Sequence, residues 1–202
     1  MSDMKEKQYP CPYCGETFSA EEELRPHVVK YHRGERLPVH ENRIELIVNN
    51  KRYSLAVEPQ WTLYHVLHDR LGLTGSKQFC DRGACSSCTV ICDGRPVLSC
   101  MMLAVECDGM SIETVEGVAL DGHPLVESYA EHHAMQCGYC TPGFVVTAKA
   151  LLDKNPRPSP GDIKAALAGN LCRCGTYQQH VTAVSDAAEK IKGAGGPKEG
   201  HR

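Results

Sequence analysis

The chain has 202 residues, a formal net charge of −3 and 42% hydrophobic residues, so it can bury one or two ordinary cores and has no bulk attraction to nucleic acid or anionic lipid. No apolar run approaches the roughly 20 residues needed to cross a bilayer, and the start, residues 1–7, lacks the apolar stretch of a secretory signal, which leads us to expect a cytoplasmic protein. Twelve cysteines against three Phe and one Trp suggest small cores helped by metal.

The first pattern in the chain is Cys11-x2-Cys14, then Phe18 and Leu24, then His27-x4-His32. Two thiolates and two imidazoles suit tetrahedral Zn²⁺, and Phe18 and Leu24 sit where a ββα unit needs its core. A chance pair of Cys followed by a pair of His is the alternative. The segment resembles a C2H2 zinc finger. Counted back from His27, the positions such fingers use for base contacts are Ala20, Glu23 and Pro26, beside the acidic run Glu21-Glu22-Glu23. Carboxylates repel phosphates and release no counterions. A structural or docking role is therefore expected rather than nucleic-acid binding. Residues 1–36 make up this finger and its linker, 33–38.

Residues 37–120 read as a second domain. Strands are expected at 44–48 and 53–57 around the hairpin signal Asn49-Asn50-Lys51-Arg52. A helix follows at 61–71, with Leu63, Val66, Leu67 and Leu71 on one face and Gly72 ending it. Strands at 89–92 and 96–100 pair across Asp93-Gly94, and 111–115 is a last strand. From about Asp121 the pattern becomes helical: 125–134, 143–152 after Thr141-Pro142, 160–168 after Ser159, and 176–192. The expected fold class is α+β: a ββα finger, a β-grasp ferredoxin-like domain, a four-helix bundle over 121–192, and a polar, Gly-rich tail at 193–202.

Two cysteine quartets lie in these last two domains. Cys80-x4-Cys85-x2-Cys88-x11-Cys100 is the first, and Cys137-x2-Cys140-x31-Cys172-x-Cys174 the second. Four thiolates suit a [2Fe–2S] cluster. They also suit zinc, which stays open for the second set. A disulfide scaffold fits poorly, because such scaffolds are shorter and secreted and do not gather Cys in CxxC pairs. In the first loop Gly83, Ala84, Ser86 and Ser87 are small enough to let backbone N–H groups reach the sulfurs. The second quartet flanks two helix starts, whose N–H groups favour negative charge. Cys92 and Cys107 read as buried small hydrophobes. The scattered histidines, among them His132, His133 and His180, read as surface or structural.

The first quartet, followed by Gln136-Cys137-Gly138-Tyr139-Cys140-Thr141-Pro142-Gly143 and Gly169-Asn170-Leu171-Cys172-Arg173-Cys174-Gly175, resembles the iron–sulfur subunit of the molybdenum hydroxylases, the xanthine oxidase family, over residues 43–192. The resemblance implies a plant-ferredoxin-type cluster on the first quartet and a second cluster nearest the molybdenum cofactor. It implies that Gln136 and Cys140 lie beside the pterin of molybdopterin cytosine dinucleotide on a large partner subunit. It also implies an electron-transfer role, between that centre and FAD on a medium subunit or another acceptor such as a cytochrome. The alternative class is a redox-sensing regulator that uses the finger to bind nucleic acid or protein. Two departures stand out. Ser86 occupies a position that is usually Gly, and Gly175-Thr176-Tyr177 replaces Thr-Gly-Tyr, a variant resembling isoquinoline oxidoreductase relatives, some of which use a cytochrome. The finger is foreign to the family.

Overall fold

The computed structural model describes residues 8–33 and 42–193. The lead segment 1–7, the linker at 34–38 and the tail beyond Gly193 lie outside the described residues. The chain divides into two units, Met1–Glu41 and Asn42–Arg202.

In the first unit β1 (Tyr9–Pro10) pairs antiparallel with β2 (Thr17–Phe18), and α1 (Glu21–Tyr31) follows. The turn between the strands is closed by Gly15 N–H donating to the Cys11 carbonyl (2.9 Å), with Gly15 at φ +78°. Ala20 gives α1 no side-chain cap, but Glu21, Glu22 and Glu23 in its first turn complement the helix dipole. No residue of α1 is buried, and Phe18 and Leu24 are only half-buried. Such a unit has too little core to hold itself without a further cross-link.

The second unit is built on a five-stranded sheet of order β4-β3-β7-β5-β6. Its strands are β3 (Asn42–Val48), β4 (Lys51–Val57), β5 (Thr89–Cys92), β6 (Arg95–Leu98) and β7 (Ser111–Glu113). β3 runs parallel to β7, and the other neighbouring pairs are antiparallel. Both hairpins close in two residues. Asn49 and Asn50 (φ 49° and 65°), and Asp93 and Gly94 (φ 46° and 73°), are all left-handed, as the tight turns that match strand twist require. The four-residue signal at 49–52 thus shortens, and Lys51 and Arg52 join β4. Along β3, Ile44, Leu46 and Val48 point into a core with Val57, Leu63, Val66, Leu67, Val90 and Ile112.

The helix expected over 61–71 is shorter and changes its hydrogen-bond spacing midway. α2 (Leu63–His65), capped by Thr62 Oγ1 accepting from His65 N–H (3.2 Å), runs into a wider π-helical turn at Val66–Arg70. Leu71 N–H donates to the Val66 carbonyl (3.0 Å), and Gly72 at φ +71° ends the element. The strand expected over 111–115 stops at Glu113. Thr114 N–H donates to Asn49 Oδ1, and Asn49 Nδ2 donates to Thr114 Oγ1, both at 2.9 Å. That exchange turns the chain into α3 (Val115–Leu120), which the sequence reading lacks.

Four more helices follow: α4 (Pro124–Glu131), α5 (Thr141–Lys154), α6 (Pro160–Leu167) and α7 (Tyr177–Gly193). Ser159 and Asp162 form a reciprocal capping box at α6. Their core gathers Leu125, Tyr129, Phe144, Ile163 and Val184 with small Ala148, Ala183 and Ala187, which allow close helix approach. Lys190 of α7 meets Glu127 and Glu131 of α4 and Asp186, which in turn accepts from Ser128 Oγ (2.7 Å). β5 is buried on both faces. Val90 and Cys92 serve the sheet core, while Ile91 packs on Val146 and Ala150 of α5. The helices therefore rest on the sheet and are not a separate body. Among the described residues no helix is long and apolar enough to cross a membrane.

Candidate metal centres

The first quartet lies on a loop that turns left-handed three times, at Asp81 (φ 50°), Gly83 (φ 72°) and Ser86 (φ 58°). These turns curl the backbone so that its N–H groups face inward. Ala84 N–H donates to Cys80 Sγ (3.2 Å). The N–H donors of Arg82 first, then of Ala84 and Cys85, together with the Cys85 thiol, outweigh the opposing effect of burial and bring Cys80 down to about 7. Cys85, Cys88 and Cys100 are buried. Cys100 belongs to a 3₁₀ turn at Ser99–Met101, not to a strand reaching residue 100. Ser99 pins that turn by donating to the Cys88 carbonyl from both Oγ (2.7 Å) and N–H (3.3 Å), which leaves the Cys88 and Cys100 sulfurs 3.3 Å apart. Burial, then the Cys88 thiol, pushes Cys100 up to about 12.

Ser86 explains why glycine would suit its position: its backbone is in the left-handed region. Its carbonyl compensates by accepting from Thr89 Oγ1 (2.7 Å) and Asn170 Nδ2 (3.4 Å). The same carbonyl lies against Gly143, where an added Cβ would stand 2.2 Å from it. With Leu171 N–H donating to the Cys85 carbonyl (3.1 Å), this is the seam between the two quartets.

In the second quartet Cys140 caps α5, and Cys172 and Cys174 precede α7. Gly138 (φ 80°) and Gly175 (φ 84°) supply the turns beside Cys137 and Cys174. Cys172 is buried, Cys140 half-buried, and Cys137 and Cys174 exposed. Burial pushes Cys172 up, but the Thr176 hydroxyl and N–H, the Cys140 thiol and the Gly175 N–H outweigh it and bring it to about 7. Burial and the neighbouring Cys172 push Cys140 up to about 12. Neighbouring thiols bear on one another at both quartets: the Cys88 and Cys100 sulfurs lie 3.3 Å apart, the Cys85 thiol helps lower Cys80, the Cys174 thiol helps lower Cys137, and the Cys172 thiol helps raise Cys140. A cavity of about 570 Å³ opens beside the second quartet, lined by Phe79, Ser87, Tyr139, Leu171, Arg173 and Tyr177 with Cys137, Cys140 and Cys172. Gln136 is exposed at the same turn. Tyr139 OH donates to the Gln78 carbonyl (2.7 Å).

His180 is not a surface residue. It is fully buried, with its ring stacked on Phe144 at 3.8 Å and 7°. Burial holds it at about 4, so it is neutral. Cys140, Cys172 and His180 bring ligand atoms within 4.8 Å of one another. The four-residue step from Thr176 to His180 across a helix start is the signal that points to it. His132 instead faces Asp186, at 3.4 Å. Cys92 and Cys107 are buried apart from both quartets, and burial raises both thiols.

In the first unit Cys11, Cys14, His27 and His32 bring one ligand atom each within 4.8 Å of one another, and Cys14 Sγ is 3.4 Å from His27 Nε2. Glu16 lies 3.5 Å from His27 Nδ1, where it can orient the ring. Tyr13 stacks on His32 (4.9 Å, 10°), and Phe18 packs on His27 (4.8 Å). The donor set and spacing fit a tetrahedral zinc ion, whose ligand atoms stand roughly 3.3–3.8 Å apart.

The 2Fe-2S iron-sulfur cluster binding domain family matches residues 46–110, and the [2Fe-2S] binding domain family matches residues 114–185. Neither match reaches the first unit. The chain is 48% identical over 149 residues to the nicotinate dehydrogenase small FeS subunit of Eubacterium barkeri, covering 73% of this chain and 95% of the relative. It is 46% identical over 150 residues to the nicotine 6-hydroxylase small subunit of Paenarthrobacter nicotinovorans, covering 73% and 90%. Among solved structures, quinoline 2-oxidoreductase from Pseudomonas putida 86 aligns with a TM-score of 0.72 at 41% identity, over 77% of this chain and 98% of that one.

Proposed function

This chain belongs to the small iron–sulfur subunits of the molybdenum hydroxylase family, and we propose that its two cysteine quartets carry the two [2Fe–2S] clusters through which it works. It is the electron-transfer subunit of an oxidoreductase complex. The observation that carries the assignment is that the two matched [2Fe-2S] domains, residues 46–110 and 114–185, each enclose one cysteine quartet. Each iron of a [2Fe–2S] cluster takes two protein thiolates, so four serve each cluster: Cys80, Cys85, Cys88 and Cys100 the first. Cys137, Cys140, Cys172 and Cys174 serve the second. When bound, each cluster supplies a one-electron carrier. The protein's share is to hold the sulfurs, to aim the Arg82, Ala84 and Cys85 N–H groups at Cys80, and to bury the Cys88 and Cys100 side.

The second quartet faces the partner in this reading. Its exposed Cys137 and Cys174, the exposed Gln136 and the apolar cavity lined by Phe79 and Tyr139 support docking against a large subunit. That subunit would hold molybdopterin cytosine dinucleotide, with Gln136 and Cys140 nearest the pterin. The Cys80–Cys100 side then faces the onward acceptor, FAD on a medium subunit or a cytochrome. The cytoplasm suits the assignment, since thiolate ligands stay reduced there. The first unit holds zinc at Cys11, Cys14, His27 and His32 and serves as a docking module for a partner subunit. Its acidic first turn, Glu21 to Glu23, speaks against phosphate contacts.

Metal analysis and paramagnetic resonance of the purified complex test this. Four iron and one zinc per chain are expected, with two distinct [2Fe–2S] signals on reduction. Cys85→Ser should remove one signal and spare the other. A single signal in the intact protein would contradict the assignment, and unchanged complex assembly after deletion of residues 1–36 would contradict the docking role.

A further inference from the structure

We propose that His180 is a positioning residue that forces the Thr176 hydroxyl to donate its hydrogen to Cys172 Sγ, and thereby raises the reduction potential of the second cluster. The inference rests on the reading that Cys172 is a cluster ligand.

Thr176 Oγ1 stands between two partners, 3.2 Å from Cys172 Sγ and 3.1 Å from His180 Nε2. A hydroxyl has one hydrogen, so it donates to only one of them. If Nε2 is bare, the hydroxyl donates to the imidazole and turns an oxygen lone pair toward the sulfur. The imidazole proton then sits on Nδ1, which is buried and has no hydrogen-bond partner in the structure. A buried N–H without an acceptor is among the rarest features of folded proteins. If Nε2 carries the proton, it donates to Oγ1, the hydroxyl donates to the sulfur, and Nδ1 keeps only an unpaired acceptor. The second arrangement gives the sulfur a donor and exchanges a stranded N–H for a less costly stranded acceptor, and negative charge on a cluster thiolate favours it further.

The ring cannot turn away. His180 is fully buried, stacked flat on Phe144 and packed against Tyr129 at 5.5 Å. His180 N–H donates to the Thr176 carbonyl (3.1 Å), so the first turn of α7 fixes the two residues one above the other. The first quartet's sulfurs are met instead by backbone N–H groups and other thiols. Hydrogen bonds to cluster sulfurs are one of the levers that set potential. The relay therefore acts on one cluster and not the other.

Redox titration of the loaded full-length protein, followed by paramagnetic resonance, tests the proposal. The presence of two signals in the unaltered protein checks the ligand reading first and separately. Thr176→Val should shift the second signal's midpoint to lower potential and leave the first where it is. His180→Phe, which keeps the stack on Phe144, should shift it in the same direction. The double variant should shift no further than Thr176→Val alone, because both remove one hydrogen bond. His180→Gln, whose amide N–H can donate to Oγ1, should recover at least part of the shift. An unshifted midpoint in His180→Phe, or two shifts that add in full, would overturn the proposal. In oxidised protein labelled with ¹⁵N-histidine, Nδ1 of His180 should carry no proton. A protonated Nδ1 would overturn it whether or not any variant folds.

Discussion

Gly143→Ala puts a single methyl group into the seam between the two quartets. The added Cβ would stand 2.2 Å from the Ser86 carbonyl oxygen, 3.0 Å from Ser87 Cα and 3.1 Å from the Ser86 carbonyl carbon. All three neighbours are backbone, so no side chain can swing aside. A carbon normally keeps about 3.3 Å from an oxygen, and the chain must open by about 1 Å. Forcing an extra methyl into a packed site costs about 1–3 kcal/mol. Alanine in place of glycine inside a helix returns at most about 1 kcal/mol, and less in the first turn where Gly143 sits. Strain wins, and the net loss of about 1–2 kcal/mol lowers the melting temperature by roughly 2–8 °C for a chain of this size. Ser86 and Ser87 separate Cys85 from Cys88, so the first cluster's visible spectrum should change as well. Gly161→Ala is the control. Its Cβ meets only Ser159 Oγ, at 3.5 Å, and the helix gain stands alone. Thermal unfolding followed by circular dichroism and cluster absorbance compares the two. If Gly143→Ala melts with Gly161→Ala and keeps its spectrum, the seam is not tight and the argument fails.

Acid should weaken the fold through His180. Its folded value of about 4 lies below the ordinary 6.5, so between those pH values the unfolded chain binds a proton that the folded one refuses. Stability is then full above 6.5 and falls as pH drops, by about 3 kcal/mol in all at 4; His180→Phe should flatten that slope in denaturant titrations at pH 7 and 5. Ser159→Ala removes one half of the capping box and should cost about 1 kcal/mol, read as a lower melting temperature with both cluster signals intact. Cys14→Ala, or a chelator strong enough to take zinc, should unfold residues 8–33, seen as lost amide protection there, while the clusters persist.

Local chemistry was legible in the sequence. The cysteine spacings marked one quartet within each matched [2Fe-2S] domain, and Asn49-Asn50 and Asp93-Gly94 announced their hairpins because left-handed turns demand such residues. Ser159 and Pro160 marked the start of α6 for the same local reason. What could not be read depends on partners distant in the chain. Thr114 stops β7 early because Asn49, at the end of the neighbouring β3, accepts from its N–H and donates to its hydroxyl oxygen. Cys100 leaves β6 because Ser99 is drawn to the Cys88 carbonyl. The π-helical turn after His65 follows no residue signature; it places Val66 and Leu67 in the core. β5 carries two cores, which a strand pattern alone cannot distinguish from one. His180 looked ordinary until Phe144, 36 positions earlier, was found lying flat against it.

Reductive titration of the purified complex, with iron counted and paramagnetic resonance recorded at each step, tests the central claim most directly. Four iron per chain and two separable [2Fe–2S] signals are predicted, one abolished by Cys85→Ser and the other by Cys140→Ser. One signal, two iron per chain, or zinc in place of iron at Cys137, Cys140, Cys172 and Cys174 would contradict it.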